Sequence, residues 1–193
     1  MKGILFTEPM FNSTIEGRKT QTRRIVKSQS VKFEGNIFQH ADYYVPVKPC
    51  YKAGQAVYIK EPFVRTNHTI YKYSQDENTR NKLKDDWKNP RTMPARYARY
   101  FIKITAVRCE RLQDISDADC LKEGIMYDGC STNDNNAITQ KWYKNGITDK
   151  CGKQYHYKSP KTAYADLINK INGKNTWENN PYVWVYDFEL INN

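Results

Sequence analysis

The chain has 193 residues, 39% hydrophobic and 13% aromatic, with 31 Lys+Arg against 21 Asp+Glu and a formal charge of +10. That length suits one domain with a real core, and the positive excess favours polyanionic partners such as nucleic acid over acidic ones. The five cysteines form no Cys-x-x-Cys pair, which argues against a disulfide framework and a zinc ribbon and for free thiols in the cytoplasm.

Ile4-Leu5-Phe6 reads as a short buried strand, and Pro9 suits the first turn of a helix that ends near Gly17. The N-terminus has neither the length nor the cleavage site of a signal peptide. No segment approaches the ~20 apolar residues of a membrane span, so no membrane partner is expected. Thr20, Thr22 and Ile25-Val26 continue the chain as strand. Ala56 to Ile59 and Tyr100 to Val107 are further strands, the second alternating Ile102, Ile104 and Ala106 with Lys103 and Thr105. Ser116 is an N-cap with Asp119 at the third helical position, and Gly124 closes that helix. Glu123 then stands in the last turn, where a carboxylate opposes the helix dipole. Tyr164, Leu167, Ile168 and Ile171 share one face of a helix beginning near Thr162. Pro181 to Glu189 is a terminal strand of aromatic and β-branched residues, and Trp177 and Trp184 read as core. The sum is α+β, with strands dispersed along the chain and short helices between them.

The segment Gly17-Arg18-Lys19-Thr20-Gln21-Thr22-Arg23-Arg24 is dense in cations, hydroxyls and an amide. A purely structural segment rarely needs so many hydrogen-bonding groups; a site for a polar or anionic ligand does. Arg91, Arg96 and Arg99 interleave with Tyr97 and Tyr100, near Trp87. That pattern suits a surface that stacks bases and holds phosphates, or a solvated basic face. His40, His68 and His156 are scattered without partnering carboxylates or cysteines, so no metal or other cofactor is expected.

The pattern Gly17-x-Lys19-x-x-Thr22-x-Arg24 resembles the hallmark of ASCH domains, members of the PUA-like superfamily. The resemblance extends to phage and prophage ASCH-domain proteins. It runs through Gly54 to Pro62, Met93-Pro94, Arg108 to Ile125 and Asn180 to Val185. It covers nearly the whole chain outside residues 27–50, 65–86 and 127–160, polar and charged stretches that read as insertions into a single domain spanning residues 1–193. The implied fold is a PUA-like β pseudo-barrel with short flanking helices. The implied partner is RNA or a modified nucleoside.

The motif is similar in a sharper way to that of bacterial N(4)-acetylcytidine amidohydrolases, whose working groups are a lysine, a threonine and a downstream glutamate. Carried over, these are Lys19, Thr22 and, by an ungapped reading from Ile104-Thr105-Ala106, Glu123. Those enzymes are much shorter, and a branched aliphatic is usual where Arg23 stands. In such a site Thr22 is the nucleophile, Lys19 the base and Glu123 the acid or orienting group, while desolvation or the cations Arg18, Arg23 and Arg24 lower the lysine pKa. Arg96, Arg99 and Tyr97 would extend the binding surface. In a regular strand positions 19 and 22 face opposite sides, so the pair converges only if a turn follows Gly17. The expected activity is hydrolysis of the amide of an N-acylated pyrimidine nucleoside. The alternative is a phage-derived, non-catalytic module that binds RNA or a modified nucleotide with the same groups.

Overall fold

The computed structural model describes residues 1–26, 32–34, 37–40, 43–45, 48–65, 70–72, 87–132, 138–146 and 155–191. In chain order the elements are β1 (Gly3–Leu5), α1 (Glu8–Ile15), β2 (Gln21–Ile25), β3 (Lys32–Glu34), β4 (Ile37–His40), β5 (Tyr43–Val45) and β6 (Ala56–Lys60). They continue with β7 (Phe63–Arg65), β8 (Ile70–Lys72), β9 (Phe101–Arg111), α2 (Asp117–Lys122), β10 (Met126–Thr132), β11 (Ile138–Lys144), α3 (Pro160–Asn172) and β12 (Tyr182–Ile191). The chain is α+β. Its main sheet has five strands in the order β1-β6-β9-β12-β2. β1 runs parallel to β6 and the other neighbours are antiparallel. Among the described residues no ladder joins the two edge strands, so this sheet is open.

β12 lies between β9 and β2, and its composition explains its place. Trp184, Tyr186 and Phe188 join one core cluster with Ile4, Phe6, Phe11, Ile59, Ile102 and Ile104. Val183 and Val185 join a second with Leu112, Ile115, Cys120, Tyr164, Leu167 and Ile168. A strand that alternates aromatic and β-branched side chains thus buries both faces of the sheet. Each such side chain contributes roughly 1.5–3 kcal/mol by leaving water.

The helices cover the faces as their sequences dictate. Ser116 Oγ accepts from the Asp119 amide at 3.1 Å, which starts α2 where the sequence places it. α3 begins two residues earlier than expected, at Pro160, because Ser159 and Thr162 form a capping box. Tyr164, Leu167 and Ile168 are buried as expected, whereas Ile171 is 38% exposed at the end of the same stripe. Trp184 is core, and Trp177 packs against the second cluster.

The stretches read as insertions hold structure of their own. β3, β4 and β5 form a three-stranded antiparallel sheet, β7 pairs with β8, and β10 pairs with β11. Of residues 65–86, only 65 and 70–72 are described; residues 27–31 and 147–154 also lie outside the described residues. Cys50, Cys109, Cys120 and Cys130 are free thiols, and Cys151 is outside the described residues. No described helix is long and apolar enough to cross a membrane.

Candidate functional site

Two chain reversals bring Lys19 to Glu123. α1 closes with Glu16 as its cap, and Gly17 adopts φ 75°, a left-handed conformation that a side chain would strain. Residues 18–20 are therefore a link outside the strand, so the alternation of a regular strand does not fix the side to which Lys19 points. The Lys19 amide donates to Ser13 O at 2.9 Å and the Thr20 amide to Lys122 O at 2.9 Å, so the link is tied to both α1 and α2. At the end of α2, Gly124 turns the chain at φ 101° directly after Glu123. Lys19 Nζ then donates to Glu123 Oε2 at 2.6 Å and to the Glu123 carbonyl at 2.8 Å. The two side chains are 0% and 3% exposed. Lys19 Nζ also lies 5.7 Å from the centre of the Phe6 ring.

Burial holds the Lys19 ammonium below its ordinary pKa, and the charges of Arg24 and Arg23 push the same way. The charge of Glu123 and its hydrogen bond oppose this without cancelling it. Desolvation rather than cationic crowding is thus the main cause. Arg18, expected to share in it, turns instead to an exposed pair with Glu16 and to Ser13 Oγ at 3.0 Å.

Arg23 is buried and fully committed. Its Nε and Nη2 donate to Glu110 Oε1 at 3.1 and 2.6 Å, and Nη2 reaches Asp119 Oδ2 at 3.4 Å. Its Nη1 donates to Gln21 Oε1 and, at 3.3 Å, to Glu123 Oε1. All the N–H groups of a guanidinium are accounted for. Arg108 closes the network, binding Asp187 at 2.6 Å, Glu110 at 3.0 Å and Asp119 at 3.3 Å. Asp119 therefore faces cations rather than returning to the Ser116 amide. The carboxylate of Glu123, unfavourable against the dipole of its own helix, is explained by Lys19 and Arg23.

Beside this network opens a cavity of about 270 Å³. Its polar wall carries Thr22, Arg23, Arg24, Arg91 and Glu123, and its apolar wall includes Phe6, Met10, Tyr164 and Ile168. β2 is an edge strand, so side chains from both of its faces reach this space. Thr22, in register with Tyr186, is buried at the wall. Arg24 Nη2 donates to the Leu5 carbonyl at 2.6 Å, and its guanidinium stands 5.7 Å from the Phe6 ring centre. Glu123 thus touches Lys19 on one side and shares the cavity wall with Thr22 on the other. A second cavity of about 200 Å³, lined by Ser13, Glu16, Arg18 and Asn145 among others, also has Glu123 in its lining.

The remaining expected residues lie apart from the larger cavity. Tyr97 is buried in a small cluster with Phe63 and Met93. Arg96 stacks on Tyr97 at 4.9 Å. Arg99 grips the buried Glu61 carboxylate through contacts of 2.7 to 3.1 Å and stacks on Tyr100 at 5.0 Å. Tyr97 and the Arg99–Glu61 pair therefore help to pack this corner, while Arg96 and Arg99 remain exposed at its surface. Sequence reasoning missed Gln21, Arg108, Glu110, Asp119 and Asp187 as members of the charged network. It also missed Tyr164 as a lining residue of the cavity, and of the basic stretch it had singled out only Arg91 lines that cavity. Alternation on β9, which sends Arg108 and Glu110 to one face, was the available signal for the first group. No family model, curated protein or solved structure matches the chain.

Proposed function

We propose that this chain is an ASCH-type, PUA-like protein whose larger cavity takes a pyrimidine nucleoside and hydrolyses the amide of an N-acylated one. The observation that carries the proposal is that Glu123 links a buried lysine to the wall on which Thr22 stands. At about 270 Å³ the cavity lies just below the range of about 300 Å³ upward for clefts that take drug-sized ligands, which suits a base or nucleoside rather than a folded RNA. The open mixed sheet with flanking helices is compatible with a PUA-like architecture, and Arg24 and Arg91 on the wall suit an electron-rich ligand.

In the proposed reaction Thr22 Oγ1 attacks the acyl carbon and a C–O bond forms. The hydroxyl proton passes to the Glu123–Lys19 pair, with Glu123 as the member on the cavity wall. Collapse of the tetrahedral intermediate breaks the C–N bond, and the leaving nitrogen takes that proton. Water then cleaves the threonine ester, releasing the carboxylic acid and restoring the hydroxyl.

The test is incubation with N(4)-acetylcytidine followed by chromatography. Cytidine and acetate should appear in equal amounts. No cytidine at high protein concentration overturns the hydrolase. A second reading is favoured by the complete enclosure of Lys19: a non-catalytic module that holds RNA or a modified nucleotide. Salt-sensitive retention of the ligand without turnover identifies it.

A further inference from the structure

Tyr164 lies within α3, is 1% exposed, and meets Trp177 edge-on with ring centres 6.2 Å apart. Packing accounts for the ring but not for the hydroxyl. Among the described residues, Tyr164 Oη is the buried side-chain polar atom without a hydrogen-bond partner. Buried hydroxyls are nearly always paired, because an unpaired one gives up its bonds to water for nothing. Phenylalanine would fill the same space without that loss.

The surroundings indicate what partner fits. Tyr164 lines the same cavity as Thr22, Arg23 and Glu123. The charged groups beside it are already committed: one oxygen of Glu123 takes Lys19, the other takes Arg23, and every Arg23 N–H is used. Burial first, and then the negative charge of Glu123, hold the phenol well above its ordinary pKa, so it stays an O–H donor at physiological pH. The Glu123 carboxylate is already balanced by Lys19 and Arg23, so an acceptor placed there needs no charge of its own to accept from the phenol.

We propose that Tyr164 Oη is a ligand-binding group of this cavity, donating a hydrogen bond to a carbonyl oxygen of a neutral, nucleobase-like ligand. This rests on the nucleoside reading above and deepens it, because it assigns specificity for a carbonyl to a residue outside the Lys19–Thr22–Glu123 set. Tyr164→Phe keeps the ring and removes only the unpaired donor.

The experiment compares wild type and Tyr164→Phe by calorimetric titration with cytidine and with N(4)-acetylcytidine, together with the melting temperature of each ligand-free protein. The variant should bind on the order of tenfold more weakly, the size of one lost hydrogen bond, with a ligand-free melting temperature equal to or above that of wild type. A loss with both ligands marks the ring carbonyl as the acceptor; a loss with the acetylated one alone marks the acyl carbonyl. Equal affinity in the two proteins overturns the inference. So does a marked fall in the ligand-free melting temperature, which assigns the hydroxyl a structural role, and so does the absence of binding by wild type. Because the readout is binding, a wild type that binds both ligands without cleaving either defeats the hydrolase reading alone.

Discussion

Lys19 Nζ and Glu123 Oε2 meet at 2.6 Å although 104 positions separate them, and both side chains are withdrawn from water. A buried ion pair rarely stabilises a fold beyond a well-packed apolar pair, yet breaking one strands the survivor. With Glu123 at the wall of a cavity and Lys19 behind it, such a pair holds a carboxylate in a fixed position. That is more use to a site than to a core.

The first expected outcome concerns that pair. Lys19→Met leaves Glu123 with Arg23 as its remaining cation and should cost about 3–5 kcal/mol. Glu123→Gln leaves the ammonium without a countercharge and should cost a similar amount. The double variant should recover much of the loss, because neither charge is then left unpaired. Urea unfolding of the singles and the double measures the coupling; simple additivity would show that the two residues act independently.

Arg23 and Arg24 are adjacent in sequence and should behave oppositely. Arg23→Met removes every partner that the guanidinium supplies to Glu110, Asp119, Gln21 and Glu123, so the melting temperature should drop by many degrees. Arg24→Met gives up one bond to the Leu5 carbonyl and a stack on Phe6. It should leave the melting temperature within a few degrees and weaken binding of a nucleoside, as read by calorimetry.

What was legible in the sequence was local. The alternation of β9, the Ser116 cap of α2, the Tyr164–Leu167–Ile168 face and the alternating run of β12 are all set by residues within a few positions of one another. The β10–β11 hairpin lay hidden in residues 127–160 because register shifts between Tyr127 and Gly129 and between Ser131 and Thr132 break its period of two. Arg99 beside aromatics read as a binding surface or a solvated basic face, and its ion-pair partner Glu61, 38 positions away, was visible to neither reading. The Lys19–Glu123 pairing was reachable only through the family resemblance, since no local pattern spans that distance. The empty hydroxyl of Tyr164 had no signal at all, because a tyrosine on an apolar stripe looks the same whether or not its oxygen finds a partner.

Asp119 should set the acid limit of stability. Burial alone would raise its pKa, but the hydrogen bond from Lys122 and the charges of Arg23, Lys122 and Arg108 outweigh this and hold the carboxyl below its ordinary value. A folded-state pKa below the unfolded one means stability that is present above the ordinary carboxyl value and lost as pH falls through the folded value. Asp166 behaves alike: burial would raise it, but hydrogen bonds from Lys170, Tyr157 and Asn145 and the charge of Lys170 prevail. Asp119→Asn should be less stable than wild type near neutrality, with the gap closing as pH falls below about 4. Urea midpoints across that range decide it; a constant gap would show that the carboxylate charge contributes nothing.

If the Lys19–Glu123 pair takes up the proton of Thr22, turnover should rise with pH as Lys19 becomes neutral. Its pKa is depressed by burial, so the neutral form gains population at lower pH than for an exposed lysine. The rising limb of kcat should therefore lie below the ordinary lysine value of 10.5. A limb at that value would place an exposed lysine, not Lys19, in the reaction.

Thr22 separates catalysis from binding most cleanly. It stands on the cavity wall within β2, and the ladder that holds it is made by its backbone against β12. Thr22→Val keeps the β-branched shape and removes the hydroxyl alone, so the sheet should keep its melting temperature within a degree or two. With Oγ1 as nucleophile, release of cytidine from N(4)-acetylcytidine should fall by several orders of magnitude, while affinity for the intact ligand changes less than about tenfold. With Thr22 as a binding group only, affinity should fall and any residual turnover per bound ligand should persist. Single-turnover measurement with protein in excess distinguishes the two, because it reads the chemical step after binding is complete.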